Sequence, residues 1–597
     1  MRRFERWAAV ALLLWGCDGG EEAGGPVVIL PAGDAAVMAD GGAPDEGGEA
    51  DAAVDAAPVD MAVAVDMGGP PVLDCAAAGQ PAQAFVAEGG GLMFGDLAGD
   101  FTVTTLDGRW NLRERWSGCE SYVFLNYFPD LRARPNGPWF GDQLFASGIE
   151  LLVADSPTSV HYFFTSFEED AADREARMVA LRDGIAARLT ELRGEAEAAA
   201  WMARLHFVTD RLTGIEGSVG AFASDYLSYL SDPASYVDLG DRGRAPPPLP
   251  QVFGIDRGQR WDAGGSLDPV VGATPSFSMA AWLGHYYDYH AALRQRLADE
   301  ADAVTVVPLV SASMTDRIVV RTVELPDAAA MAALDRVELD VAVTCAHRNP
   351  FACSEWDRIA LIEWCADEMC MTRHEVVRWI TSYWRRGHQR WVMDASAFRG
   401  LMAAGGRQTF RVELGPEWER ATEQGVEVSL RLSSTGAAGS SEVVPAFRGG
   451  AFGEQYNDRE PVRFTPPAGA ERVELVVILS GHGQTEGDNC AEWCDHRHQF
   501  TVNGAALDEI RPGPGVGSRR GCATAAGRGA VPGQWGNWAP GRAYWCPGEP
   551  VETMRFDITD RVRRGEENTL EYSASFRGGP PRGGDIALSS YVVWYGE

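Results

Sequence analysis

The chain contains no lysine; all 52 of its basic side chains are arginine. Set against 85 Asp and Glu, they leave a formal net charge of −33. That balance excludes the basic surface that nucleic-acid phosphates demand. No Cys-x-x-Cys pair occurs, so dithiol redox chemistry lacks its motif. No apolar run reaches the roughly 18 residues that a transmembrane helix needs. No internal repeat of about 20–50 residues appears, so neither a solenoid nor a propeller is expected. Histidine is scarce, 10 in 597 residues, and the stretch 306–441 holds no cluster of it. A copper monooxygenase built on two β-layers would need several His or Met ligands, a grouping this chain lacks.

What is present begins with length: 597 residues exceed what one core can serve and predict several domains. Arg2, Arg3 and Arg6 precede a short apolar run from Trp7 to Trp15, the pattern of an export signal. Leu14-Trp15-Gly16-Cys17 is similar to a bacterial lipobox, whose cysteine is lipidated after cleavage; the alternative is an ordinary signal peptide with an incidental cysteine. The expected location is the bacterial cell envelope, with the protein exported and anchored to the outer or inner membrane through Cys17. Residues 18–72 carry 12 Asp or Glu and no Arg among Ala, Gly, Pro and Val. Such a segment cannot bury enough apolar surface to offset chain entropy, so it reads as a disordered acidic linker with a reach of about 40 Å.

Ten cysteines remain after Cys17, an even number that reads as disulfides in an exported protein. Proximity suggests Cys345–Cys353, Cys365–Cys370, Cys490–Cys494 and Cys522–Cys546, which leaves Cys75–Cys119.

Three folded regions are expected after the linker. Residues 73–305 mix strands (122–128, 150–154, 160–164) with helices (171–192, 279–299), which suggests an α/β domain. Gly95 to Gly108 is similar to the opening of a thioredoxin or peroxiredoxin domain, and the strand from Tyr122 sits where that fold has its central strand. Where such a domain would carry its redox cysteine, this chain reads Pro129-Asp130-Leu131-Arg132. A thioredoxin-like fold without redox activity, or a generic α/β accessory domain, is expected. From 306 the pattern becomes short alternating runs separated by Gly- and Pro-rich turns, which predicts antiparallel β-sandwiches. Residues 306–441 and 442–597 are each the length of one jelly-roll domain.

The motifs that carry chemistry lie in these two regions. Cys353-Ser354-Glu355-Trp356-Asp357-Arg358 sets a carboxylate between an indole and a guanidinium. Arg378-Trp379-Ile380-Thr381-Ser382-Tyr383-Trp384 follows it. Cys490-Ala491-Glu492-Trp493-Cys494 and Asn537-Trp538-Ala539-Pro540-Gly541-Arg542-Ala543-Tyr544-Trp545-Cys546 lie in the second region. Taken singly, each is as well explained by a disulfide-fixed turn or a surface ion pair. Together, in order and sensibly spaced, they resemble the bacterial peptide-N-glycosidase F family, amidases that strip N-glycans from asparagine.

The resemblance implies two jelly-roll domains, disulfides at 345–353, 490–494 and 522–546, and no metal or organic cofactor. It implies that Asp357 is the principal catalytic acid and that Glu492 binds sugar and supports catalysis. Arg542 would lie near Asp357. Trp356, Arg358, Trp493, Trp545 and His482 would shape or contact the substrate-binding cleft. The family's third acid precedes a tryptophan late in the first region. Here the register slips, so Glu417 or Glu413 fills that role, or neither does. Cys490, Cys494, His496 and His498 are also zinc-ligand types, but their spacing leaves little chain to wrap a tetrahedron.

On this reading Asp357 takes a proton from the attacking water, while Arg358 and Arg542 hold it ionised near neutral pH. The partner is an N-glycosylated peptide or protein, the membrane is met only through the lipid on Cys17, and the chain acts as a monomer. The alternative is a non-catalytic glycan-binding surface lipoprotein on the same pair of sandwiches.

Overall fold

The computed structural model describes residues 73–77, 79–128, 148–248, 250–268, 276–313, 316–415, 422, 424–483, 489–513 and 515–596. Cys17, the acidic segment 18–72, Pro129 to Arg132 and Glu417 lie outside the described residues. Among the described residues, those within 73–237 and 246–596 form one compact unit, and 238–245 belong to a second. Within that second unit the described part is a tight turn in which Gly243 N–H donates to Gly240 O at 2.8 Å. Among the described residues no helix is long and apolar enough to cross a membrane.

The chain first builds a mixed sheet from β1 (Phe101–Thr105), β2 (Gly108–Asn111), β3 (Ser121–Tyr127), β4 (Val160–Ser166), β5 (Leu205–Arg211), β6 (Val252–Ile255) and β7 (Trp261–Gly265). Their order is β7-β6-β3-β4-β5-β1-β2, with β3, β4 and β5 parallel and the remaining pairs antiparallel. β3 and β4 are buried along their whole length, as parallel strands covered on both faces must be. Residues 150–154, expected as a strand, lie instead in helix α1 (Ile149–Asp155). Its buried residues Ile149, Leu152 and Val153 fall at helical spacing, which a short apolar run does not reveal by itself. Helix α2 (Ala171–Arg193) is capped by Asp170, whose carboxylate accepts from the N–H groups of Ala172 and Asp173. Helix α3 (Ser218–Leu230) lies further along the chain, and α4 (Ser278–Asp299) closes the domain.

Helix α4 is apolar on most of its surface because it is covered on more than one side. Met279, Trp282, Tyr286, Tyr287, His290 and Leu293 are all buried. Its far end bonds the next domain through Arg296 to Glu338, and Glu300 accepts from Arg431 at 2.7 Å.

Eight strands follow: β8 (Thr305–Ser313), β9 (Ile318–Asp327), β10 (Arg336–Cys345), β11 (Ile359–Cys365), β12 (Arg373–Ile380), β13 (Gly387–Asp394), β14 (Gly405–Glu413) and β15 (Gly425–Ser433). They form two antiparallel sheets, β8-β15-β10-β13 and β9-β14-β11-β12. A second set comprises β16 (Ser440–Ala451), β17 (Val462–Phe464), β18 (Arg472–His482), β19 (His496–Val502), β20 (Ala505–Ala506), β22 (Thr553–Asp557), β23 (Asn568–Phe576) and β24 (Asp585–Tyr595). Its sheets run β16-β24-β18-β22 and β17-β23-β19-β20. Counted from its own first strand, each set reads 1-8-3-6 and 2-7-4-5, the double Greek key of a jelly roll.

The two sandwiches are stitched by the long connection after β20. Strand β21 (Pro550–Val551) leaves the second sandwich and pairs with β12 of the first, Arg378 opposite Val551. A buried ion pair reinforces the seam. Arg378 binds Glu375 through two bonds of 2.8 Å and donates to Ser480 Oγ and Ala587 O at 2.7 Å. Ser589 Oγ donates to Glu375 from the far side at 2.6 Å. The N-terminal domain grips the same connection: Trp538 Nε1 donates to Asp268 O at 3.2 Å, and Arg520 bonds Asp155. Among the described residues five disulfides close the chain: Cys345–Cys353, Cys365–Cys370, Cys490–Cys494 and Cys522–Cys546, the pairs that proximity suggested, and Cys75–Cys119, the pair left over.

Candidate active site

Asp357 stands just before β11, in a loop tied by the Cys345–Cys353 disulfide. Thr381 staples it in place. The Thr381 hydroxyl donates to Trp356 O at 2.6 Å and accepts from Arg358 N–H at 2.7 Å, so one side chain grips both neighbours of the aspartate. Trp384 N–H donates to Ser354 O at 2.5 Å and holds the loop's other end. Trp356 lies with its ring 6.5 Å from that of Tyr383, edge to face, and the Arg358 guanidinium lies 5.4 Å from the Trp356 ring.

Glu492 comes from the other sandwich, on α5 (Cys490–Trp493), a single turn bridged end to end by Cys490–Cys494. Its Oε2 accepts from Gly483 N–H at 2.8 Å. A Cβ on residue 483 would stand 2.6 Å from that oxygen, so a larger residue there would displace the carboxylate.

Arg542 joins the two acids. Its Nε donates to Glu492 Oε1 at 3.0 Å, and its Nη2 lies 3.3 Å from Asp357 Oδ2. The remaining donors go to Asn537 O at 2.6 Å, Pro540 O at 3.1 Å and the Tyr383 hydroxyl at 3.3 Å. The guanidinium sits 4.7 Å from the Trp493 ring and 4.9 Å from the Trp545 ring, the geometry of cation–π contacts. Only 1% of its side chain reaches solvent, against 10% for Asp357 and 14% for Glu492, so the guanidinium is the buried hub and the acids keep a narrow exposure. Gly541 lets the loop turn here, since a Cβ would lie 1.9 Å from Gly515 O.

Burial governs the electrostatics. It pushes the Asp357 carboxyl above the ordinary range, opposed by Arg542, by the Tyr383 hydrogen bond and by Arg358. Desolvation outweighs the pull of the arginines once the loop is covered. Glu492 is raised as well, by burial first and then by the charge of Asp357, against the pull of Arg542. The two acids titrate as a pair on one cation. His482 is held neutral, pushed down to about 3 by burial and by Arg378 and Arg542. It stacks on Trp545 at 4.9 Å and bonds Ser480 Oγ at 2.7 Å, while Trp545 Nε1 donates to Gly481 O at 2.5 Å.

Asp357, Glu492, Arg542, Trp493 and Trp545 thus share one cluster, with Trp356, Arg358 and His482 around it. Glu413 is engaged elsewhere: it accepts from Arg411 at 2.6 Å, and the same arginine binds Glu363 at 2.5 Å. Tyr383, which contacts both Arg542 and Asp357, had no role in the sequence reading although its segment was noted there. Cys490 and Cys494 are spent on a disulfide, and both ring nitrogens of His496 and of His498 are hydrogen-bonded. Among the described residues no group of His, Cys, Asp and Glu has the arrangement of a metal site.

The half of the cluster that carries Glu492 and Arg542 lies within a stretch that matches a known family. Residues 452–593 match the family model Peptide-N-glycosidase F, C terminal. Peptide-N(4)-(N-acetyl-beta-D-glucosaminyl)asparagine amidase F of Elizabethkingia miricola is 26% identical over 261 residues, which cover 40% of this chain and 69% of that protein. The solved structure of PNGase F, a glycosylasparaginase from Flavobacterium meningosepticum, is 22% identical and aligns over 49% of this chain and 96% of its own, with a TM-score of 0.40. That of PNGF-II is 11% identical, over 51% and 68%, with a TM-score of 0.38.

Proposed function

We propose that the protein is a peptide-N-glycosidase F-like amidase that hydrolyses the bond between asparagine and an N-glycan. The observation that carries this reading is the pair of carboxylates from separate sandwiches, held on one buried guanidinium and flanked by indoles. Asp357 in its ionised form accepts a proton from water as the water oxygen attacks the asparagine side-chain carbonyl. The C–N bond then breaks as the proton taken up by Asp357 passes to the leaving nitrogen. The peptide keeps an aspartate and the sugar leaves as a glycosylamine, which loses ammonia in water. Glu492 hydrogen-bonds the first N-acetylglucosamine, and Trp356, Trp493 and Trp545 offer flat apolar faces to sugar rings. Arg542 stabilises the negative charge that develops on the carbonyl oxygen.

The rest of the proposal concerns delivery. The export signal and Cys17 anchor the chain at the cell envelope, and residues 18–72 give it reach. The chain works as a monomer, with domains at 73–305, 306–441 and 442–597. The first of these is thioredoxin-like without redox activity. That assignment is supported by three parallel strands β5-β4-β3 flanked by antiparallel β6 and β7, with α4 after them, and by the missing Cys-x-x-Cys.

The test is a defined glycopeptide. Incubation converts its asparagine to aspartate, read as a one-dalton gain on the released peptide by mass spectrometry, and Asp357→Asn abolishes the conversion. Glycan binding by the native chain without any conversion would replace this reading with that of a glycan-binding lipoprotein.

A further inference from the structure

Behind Glu492 the second sandwich buries a file of hydrogen-bonding side chains that the proposed reaction does not use. The Tyr456 and Tyr572 hydroxyls meet at 2.8 Å, and the Tyr572 hydroxyl meets His498 Nδ1 at 2.5 Å. His498 Nε2 meets His496 Nδ1 at 2.9 Å, and His496 Nε2 reaches Ala491 O at 2.7 Å. All four side chains are buried.

The last partner decides every proton in the file. A carbonyl oxygen only accepts, so His496 carries its hydrogen on Nε2. Its neutral ring then accepts at Nδ1, which requires hydrogen on His498 Nε2. His498 in turn accepts at Nδ1 from the Tyr572 hydroxyl, whose oxygen accepts from Tyr456. Burial keeps both rings neutral: it depresses His496 to about 4, where Asp495 pulls the other way, and His498 further, with His496 and Arg459 adding to the fall. One tautomer of each imidazole therefore satisfies the whole chain.

The carbonyl at its end belongs to the peptide whose nitrogen is that of Glu492. The peptide on the other side of Glu492 is held too, because Ala543 N–H donates to Glu492 O at 2.8 Å. Ala543 adjoins Arg542, and Tyr544, with φ of +71°, donates its hydroxyl to His496 O at 2.7 Å. The fit is tight: a Cβ on Gly481 would stand 1.8 Å from Ala491 O and 3.0 Å from His496 Nε2.

We propose that His496 and His498 are positioning residues for Glu492, holding the peptide plane that aims its carboxylate at Arg542. Their effect on turnover rests on the amidase reading; their effect on the Glu492 carboxyl does not. The experiment follows that carboxyl by pH-difference infrared spectroscopy of the full chain, with Glu492→Gln marking its band. In His496→Ala the carboxylate loses its alignment with Arg542, and its midpoint rises by about one pH unit. Deglycosylation of the glycopeptide falls by about 10- to 100-fold in kcat/KM. His496→Gln, whose side-chain amide N–H can reach Ala491 O, restores most of both. A folded His496→Ala with the wild-type midpoint overturns the proposal. Should His496→Ala fail to fold, His498→Phe, which leaves His496 Nδ1 without its donor and its ring without that anchor, is read the same way: a raised midpoint supports the assignment and an unmoved one overturns it. If no form turns over glycopeptide, wild type included, the amidase reading falls and the infrared comparison still decides the role of the two histidines.

Discussion

Removing one oxygen atom tests how the site sets the basicity of Asp357. The Tyr383 hydroxyl is hydrogen-bonded to Asp357 and accepts from Arg542 at 3.3 Å. Burial and the neighbouring carboxylate keep this phenol far above its ordinary pKa, so it remains a donor across the working range. Its bond favours ionised Asp357 and so partly offsets the burial that raises the acid. A hydrogen bond to a charged group is worth about 1.5–3 kcal/mol. Divided by 1.36 kcal/mol per unit, its loss in Tyr383→Phe lifts the Asp357 pKa by about 1–2 units. The reaction needs Asp357 as a carboxylate, so the acid limb of kcat/KM moves to higher pH by the same interval. On the plateau above the limb the rate changes less, because the base is ionised in both proteins. The assay is the pH profile of glycopeptide conversion by mass spectrometry, with thermal unfolding as the control for folding. A limb that stays in place in a folded, active Tyr383→Phe would refute both the role of Tyr383 and the placement of the general base.

Glu492→Gln should move the same limb the other way. The Asp357 charge raises Glu492, and by reciprocity an ionised Glu492 raises Asp357; the neutral amide removes that repulsion, so the limb falls while KM for the glycopeptide rises. In Asp357→Asn, stability relative to wild type should improve as pH increases. A carboxyl raised in the folded state contributes stability that is full below its unfolded pKa of about 3.9 and is lost as pH rises through the folded value, and the amide has no such loss; urea midpoints at acidic and alkaline pH measure the difference. Arg378→Met should cost about 3–5 kcal/mol by leaving Glu375 charged and buried at the domain seam. Adding Glu375→Gln should recover much of that loss, and a single-variant cost below about 1 kcal/mol would show that the seam does not depend on the pair.

Much of this architecture is written in local pattern. Alternation marked most strands of both sandwiches, and the helical stretch 171–192 matched α2. Where local pattern was silent or misleading, the causes differ. Strand β12 shows almost no alternation because the second sandwich and β21 cover it, so that only its first two residues keep any exposure. Helix α1 was misread because seven residues give too short a period. Tyr383 carried no signal of its own; a tyrosine in an aromatic segment is ordinarily core, and only its approach to Arg542 distinguishes it.

The sequence by itself determined the chemistry available: which acids stand beside indoles, which cysteines are near enough to pair, and where the glycines let backbone pass. The tertiary structure alone decided that residues 357, 492 and 542 meet, and which way the acids titrate. Adjacent arginines favour the ionised form of Asp357, and the burial of the folded loop, which opposes them, has no signature in the sequence. Charge can be read along the chain, but desolvation is a property of what packs around a residue, and that exists only once the sandwiches close.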